Sequence, residues 1–334
     1  MNTPERIIYT NLQALKNNTG LDGKWLAGVR DKLTDGKIEL SNGTQQKTFP
    51  VVVKNEATNT HLVHFVNLNE KFPDIIVIAK SIYPAIREQL RKLGLNYVDS
   101  NGNCYIKQSD WLFLIDGQKA KNPVLVNKDR AFTKTGLQLV FHFLVDERYI
   151  KSTYRQMAED YDTALGNINN IVTSLTEQGF LVRTAKKELK LLRKKALLEK
   201  WINTYEQKLK PSLYVGSFRL PGGPEQPWRN LLVKNTETQW GSEPAANIIT
   251  DYLKPVQLTL YTTETITELI EKYRLIPDDR GPLKIYSKFW KFNQDTNTVP
   301  PLLIYADLVN SGDPRNVYTA KNIYDRFLKT LTVG

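Results

Sequence analysis

Three asparagines, Asn167, Asn169 and Asn170, crowd the first half of the apolar-periodic stretch "EDYDTALGNINNIVTSLTEQGFLV" at 159–182. Asparagine is a poor helix former because its amide competes for nearby backbone groups, so its repetition there needs a reason. The same amide donates and accepts side by side and can pair bidentately with the N6 and N7 atoms of adenine. Gly166 removes a side chain where such a helix would approach a duplex, and Asp162 or Thr163 can cap its start. Arg155 before this stretch and Lys186, Lys187 and Lys190 after it are suited to phosphates. These residue types in this order imply readout of double-stranded DNA, with Arg155, Thr163, Asn167, Asn169, Asn170, Lys186, Lys187 and Lys190 as the candidate contacts.

A second group lies near the C-terminus, in "WGSEPAANIITDYL" (240–253) and "YADLVNSGDPRNVYTAKNIYDRFL" (305–328). Trp240, Glu243, Asp307, Asp313 and Arg315 are expected to gather at strand ends. Carboxylates so gathered either bind a cation or form turns and ion pairs. A third candidate is "VVVK" at 51–54, where Lys54 fills the lysine of a Glu-x-Lys nuclease motif. Val52 stands where the metal-binding carboxylate belongs, and Glu39 and Glu56 have the wrong spacing. A hard cation there loses an oxygen ligand it needs, so no catalytic residue, metal or cofactor is assigned. His61 and His64 in "HLVH" miss the i, i+4 spacing of a helical ligand pair. Cys104 has no base beside it and is expected to be inert packing.

The elements that must position these residues fall into three regions. Residues 1–122 alternate β-rich runs ("FPVVVKN", "DIIVIA", "WLFLI") with amphipathic helices such as "SIYPAIREQLRKLG". The succession resembles the α/β core of PD-(D/E)xK nucleases, a restriction-endonuclease-like domain that lacks its acid. In "NYVDSNGNCYI" the Asn-Gly pair predicts a hairpin turn. Residues 126–210 read as helix, helix, turn, helix, then two short strands, which is the order of a winged helix-turn-helix. The third helix carries an apolar stripe of Leu165, Ile168, Ile171, Val172 and Leu175, with the asparagines away from it. A basic helix follows and is expected to stop at Pro211. Residues 211–334 form a second α/β region, with strands expected at "LYVGSF", "VQLTLYT", "LKIYSKFW" and "PLLIYADL" and helices near 243–253, 264–273 and 317–330. The fold class expected is thus a multidomain α/β protein.

The chain has 334 residues, 41% of them hydrophobic, enough for several cores. Its net charge of +11 is concentrated: residues 183–210 hold ten positive and three negative side chains. A basic patch beside a polar helix favours a polyanionic partner over a solvated face. With one cysteine and three histidines a Cys/His zinc cluster is excluded. No apolar run is long enough for a membrane span, and the expected location is the cytoplasm.

Four stretches, "YRQMAEDYDTALGNINNIVTSLTEQGFL", "KWINTYEQKLKPSL", "WGSEPAA" and "YADLVNSGDPRN", together resemble the AbiEi family, the antitoxins of type IV abortive-infection toxin–antitoxin systems, over roughly 130–330. The resemblance implies a bacterial repressor that binds inverted repeats in its own promoter; a homodimer on DNA is compatible with such repeats, and the sequence leaves the oligomeric state open. It also implies a C-terminal domain that counters a nucleotidyltransferase toxin without a stable complex. The alternative is a DNA-processing or restriction-type nuclease targeted by the winged helix.

Overall fold

The computed structural model describes residues 3–26, 33–118, 129–184, 188–222, 228–231, 233, 237–292 and 296–332. The chain divides into two compact units, 1–126 and 127–334.

The first unit is one seven-stranded sheet with helices on both faces. Its elements are α1 (Thr3–Thr19), β1 (Asp22–Leu26), β2 (Gly36–Ser41), β3 (Gln46–Ala57), α2 (Asn59–Lys71), β4 (Ile76–Ile82), α3 (Pro84–Lys92), β5 (Asn96–Asp99), β6 (Cys104–Gln108) and β7 (Trp111–Ile115). The strands lie in sequence order, antiparallel at both ends and parallel across β3, β4 and β5. Strand alternation makes two cores from one sheet. Val51 and Ile78 face a cluster containing Ile8, Leu12 and Leu15 of α1. Val52 and Val77 face the opposite cluster, with Leu62 and Phe65 of α2 and Leu90 of α3. The hairpin expected at "NYVDSNGNCYI" forms, with Val98 opposite Cys104 and Gly102 at φ 90° in the turn. His61 and His64 both fall within α2, where His61 Nδ1 accepts from the Thr58 N–H at 3.2 Å and caps the helix start. Cys104 is fully buried, and burial pushes its thiol up to about 11.

The second unit opens with α4 (Lys134–Val145), α5 (Tyr154–Asp160), α6 (Leu165–Glu177), β8 (Leu181–Arg183) and β9 (Leu189–Leu191). Gly179, at φ 70°, ends α6 and sends the chain into the antiparallel β8–β9 pair, as its sequence position predicts. Then come α7 (Lys194–Thr204), α8 (Lys210–Leu213), β10 (Tyr214–Arg219), β11 (Thr238–Trp240), α9 (Ser242–Thr250), β12 (Leu258–Thr262), α10 (Ile266–Tyr273), β13 (Ile276–Pro277), β14 (Leu283–Ser287), α11 (Pro301–Asn310), α12 (Pro314–Ile323) and α13 (Lys329–Thr332). The second sheet has the order β11-β12-β14-β10-β13, with β12 and β14 parallel.

Two expectations about this unit are corrected. Residues 301–310, read as the strand "PLLIYADL", form α11. Pro301 sits in its first turn, and Leu302 to Asn310 are all buried, so no polar face marks the helical period. Pro211 does not stop the basic helix. A π-helical turn at Tyr205–Leu209 follows α7, and helix continues through Pro211 to Leu213. A π-turn changes the backbone pairing ahead of a residue that has no N–H to give.

One core joins the two halves of this unit. Trp201 of α7 is fully buried, stacks on Phe141 of α4 at 5.2 Å and on Tyr205 at 4.8 Å, and donates its indole N–H to the Leu137 carbonyl at 2.7 Å. Phe141 also meets Phe289 beyond β14 at 4.9 Å. Hydrophobic packing therefore runs past residue 210 without a break.

Candidate nucleic-acid interface and C-terminal polar cavity

The inner face of α6 is fixed by Ile168, Ile171, Val172 and Leu175, all buried. Each such side chain, moved out of water, stabilises the fold by about 1.5–3 kcal/mol. The far end of the helix is tied to α7 through Asp129, which accepts from Ser174 Oγ at 3.2 Å and Gln178 Nε2 at 2.9 Å and pairs with Lys200 at 2.8 Å. The turn before α6 is set by a partly buried cluster. Tyr149 stacks on His142 at 3.5 Å, His142 Nδ1 lies 2.8 Å from the Tyr161 hydroxyl, and the Tyr149 hydroxyl donates to Asp160 at 2.6 Å. Burial lowers the His142 pKa to about 4, so its ring is neutral at physiological pH.

Fixing the inner face leaves the outer face to solvent. Gly166, Asn169, Asn170 and Thr173 are exposed. A methyl group on Gly166 would meet nothing within 4 Å, so no packing requirement explains this glycine. Three details differ from the sequence expectation. Leu165 does not belong to the buried stripe; it is 54% exposed at the first position of α6. The N-cap residue is Ala164, with no side-chain cap, rather than Asp162 or Thr163. Asn167 Nδ2 donates to Thr163 Oγ1 at 3.0 Å, so these two candidates hold each other while Asn169 and Asn170 are exposed.

Of the basic candidates, Arg155 is exposed on α5 and Lys190 is exposed on β9, opposite Val182. Lys186 and Lys187 lie outside the described residues. Part of the local positive charge is neutralised: Lys194 pairs with Glu147 at 2.7 Å, Lys200 with Asp129, and Lys210 with Glu206 at 3.0 Å. Arg183 donates to the Tyr154 hydroxyl at 3.0 Å, and Arg193 lies over the Phe180 ring.

In the C-terminal part, Glu243, Asp307, Asp313 and Arg315 line a single cavity of about 680 Å³. Trp240 does not; it is buried on β11, edge-on to Trp228 at 5.1 Å. Nearly all the carboxylates are already engaged. Asp307, 2% exposed, accepts from the Tyr261 hydroxyl at 2.9 Å and the Tyr205 hydroxyl at 3.2 Å and pairs with Lys210 at 3.1 Å. Burial works against the Lys210 charge, but Asp307 and Glu206 overcome it and hold its pKa above the usual range. Burial, then Asp307, pushes both tyrosine hydroxyls well above theirs. Glu243 accepts from the Val256 N–H at 2.6 Å and from Asn316 Nδ2 at 2.9 Å. Asp313 caps α12 and pairs with Arg315 at 2.8 Å, which lowers the Asp313 pKa. The sequence reading missed Tyr205, Tyr261 and Lys210 as partners of Asp307. The one sequence signal for this group is the i, i+4 spacing of Glu206 and Lys210.

In the first unit Val52 is 2% exposed, within the core beneath α2 and α3. Asp35 lies beside β3 and accepts from the Val53 N–H at 2.7 Å. Among the described residues no group of three His, Cys, Asp or Glu side chains is placed to hold a metal ion. No helix among them is long and apolar enough to cross a membrane.

Neither a curated protein nor a solved structure matches this chain. A family model does, over residues 190–329, and it is described as a transcriptional regulator, AbiEi antitoxin, of type IV toxin–antitoxin systems. The match begins in β9 and covers α7 and everything that follows to α13, so it supports the AbiEi resemblance over the C-terminal region while α4, α5 and α6 lie ahead of it.

Proposed function

We propose that this protein is a sequence-specific DNA-binding transcriptional regulator of the type IV antitoxin kind. In this reading α4, α5, α6 and the β8–β9 pair are a winged helix-turn-helix, with α6 lying in the major groove. The observation that carries it is the outer face of α6. Asn169 and Asn170 are exposed there beside Gly166, whose missing side chain no contact among the described residues requires. A duplex pressed against that face accounts for both. Asn169 and Asn170 then read base edges, Asn167 and Thr163 shape the helix entry, and Arg155, Lys186, Lys187 and Lys190 take phosphates. The family description of residues 190–329 supports the regulatory role.

The C-terminal region, from 211 onward, carries the antitoxin effect against a nucleotidyltransferase toxin, and the boundary at 210 is one of function within a shared core. The N-terminal unit is a nuclease-like sheet without its metal acid. The nuclease alternative is disfavoured because the acid position, Val52, is a packing position.

The test is selection of duplexes by the full chain from a randomised pool. A single enriched motif, arranged as an inverted repeat and bound with a steep negative salt dependence, is expected. Retention of all sequences alike overturns the reading.

A further inference from the structure

Among the described residues, Leu165 is not part of the hydrophobic core that fixes α6. It opens α6 at 54% exposure, outside the core cluster that holds Ile168, Ile171, Val172 and Leu175. Its neighbours in sequence are Ala164, which makes no side-chain cap, and Gly166, which has open space around it. On the helical wheel Leu165 and Asn169 are one turn apart and share a face, and the next turn adds the exposed Thr173. An apolar side chain therefore stands at the leading end of a row of polar ones, all facing outward.

In the major groove only one base offers an apolar group, the C5 methyl of thymine. Resting on the DNA-binding reading of α6, we propose that Leu165 is a specificity-determining residue that packs on a thymine methyl, beside the base pair read by Asn169. One turn of helix advances 5.4 Å, so the two side chains reach neighbouring base pairs. The preference it creates is for thymine over cytosine or deoxyuridine at a position in each half-site. Its size is that of one methyl group removed from water, about fourfold in affinity.

The experiment uses the full chain and the duplex it enriches most from a randomised pool. Each thymine in turn is replaced by deoxyuridine, which removes the methyl and leaves every hydrogen-bonding group. The wild type is expected to lose about fourfold at one thymine per half-site and little at the others. Leu165→Ala and Leu165→Gln, both at a solvent-facing position, are expected to bind the thymine and deoxyuridine duplexes equally. If Leu165→Ala keeps the full discrimination, or if no thymine matters to the wild type, the assignment of Leu165 fails and DNA binding stands. If Leu165→Ala changes only the oligomeric state, the side chain serves contact between copies and the assignment is overturned. If no duplex is enriched, the DNA-binding reading fails, and the Leu165 proposal fails with it.

Discussion

The outer face of α6 and the cavity around Asp307 are both lined by polar side chains, and they differ in where those groups find partners. In the cavity Asp307 is held by two tyrosine hydroxyls and Lys210, Glu243 by backbone N–H groups and Asn316, and Asp313 by Arg315. Of the three asparagines on α6, Asn167 donates to Thr163, while Asn169 and Asn170 are exposed. A polar cluster that satisfies itself holds a fold together. One that leaves its hydrogen-bonding capacity in solvent is available to a partner. Residue composition alone does not separate the two cases, since asparagine occurs in both.

That contrast is broken most severely at Asp307. Asp307→Ala removes the acceptor of two buried hydroxyls and one of the partners of a part-buried lysine. Losing one side of such a pair costs about 3 kcal/mol, measurable as a lower urea midpoint with an unchanged slope. Asn170→Ala, on the open face, is expected to stay within about 0.5 kcal/mol of the wild type in the same titration. Equal losses for the two would erase the distinction.

A second comparison uses pH. His142 is buried behind the α5–α6 turn with its pKa lowered to about 4, against 6.5 in the unfolded chain. The unfolded state binds the extra proton first, so stability falls as pH drops from 6.5 towards 4 and is unaffected by this group above that window. Between pH 7 and pH 5 the loss is about 2 kcal/mol. His142→Gln should flatten the pH profile over this interval. An unchanged slope would mean that His142 is more hydrated than its burial indicates.

The smallest effects are expected from the exposed cations. Arg155→Gln with Lys190→Gln should reduce the slope of log K against log salt by about 0.9 per lost phosphate contact, on selected and scrambled duplexes alike. A slope that does not change removes these two residues from the interface.

Much of the second unit was legible in the sequence. The three helices and the short strand pair over 134–191 follow from the apolar period of 3.6 and the Gly179 stop. The buried set Ile168, Ile171, Val172 and Leu175 follows from the same count. Leu165 was misplaced because it continues that period by one more turn, although the helix starts there and its first residue stands 54% exposed, outside the buried cluster. Residues 301–310 were misread because an element buried on all sides shows no alternation of either kind. The tyrosine–aspartate network was out of reach, since Tyr205 and Tyr261 stand 102 and 46 residues from Asp307. Only the fold brings such residues together. The placement of Val52 in the core under α2 and α3 is likewise a fact of the fold and not of its spacing from Lys54.

The most direct test of α6 as the DNA-reading element is a competition titration of Asn170→Ala against wild type, on the selected duplex and a scrambled one at a single salt concentration. Loss of a bidentate base contact should cost about 1–3 kcal/mol on the selected duplex and leave the scrambled duplex unaffected. Equal affinities of the variant and wild type for both duplexes, or an equal loss on both, would contradict the claim that this face of the helix reads bases.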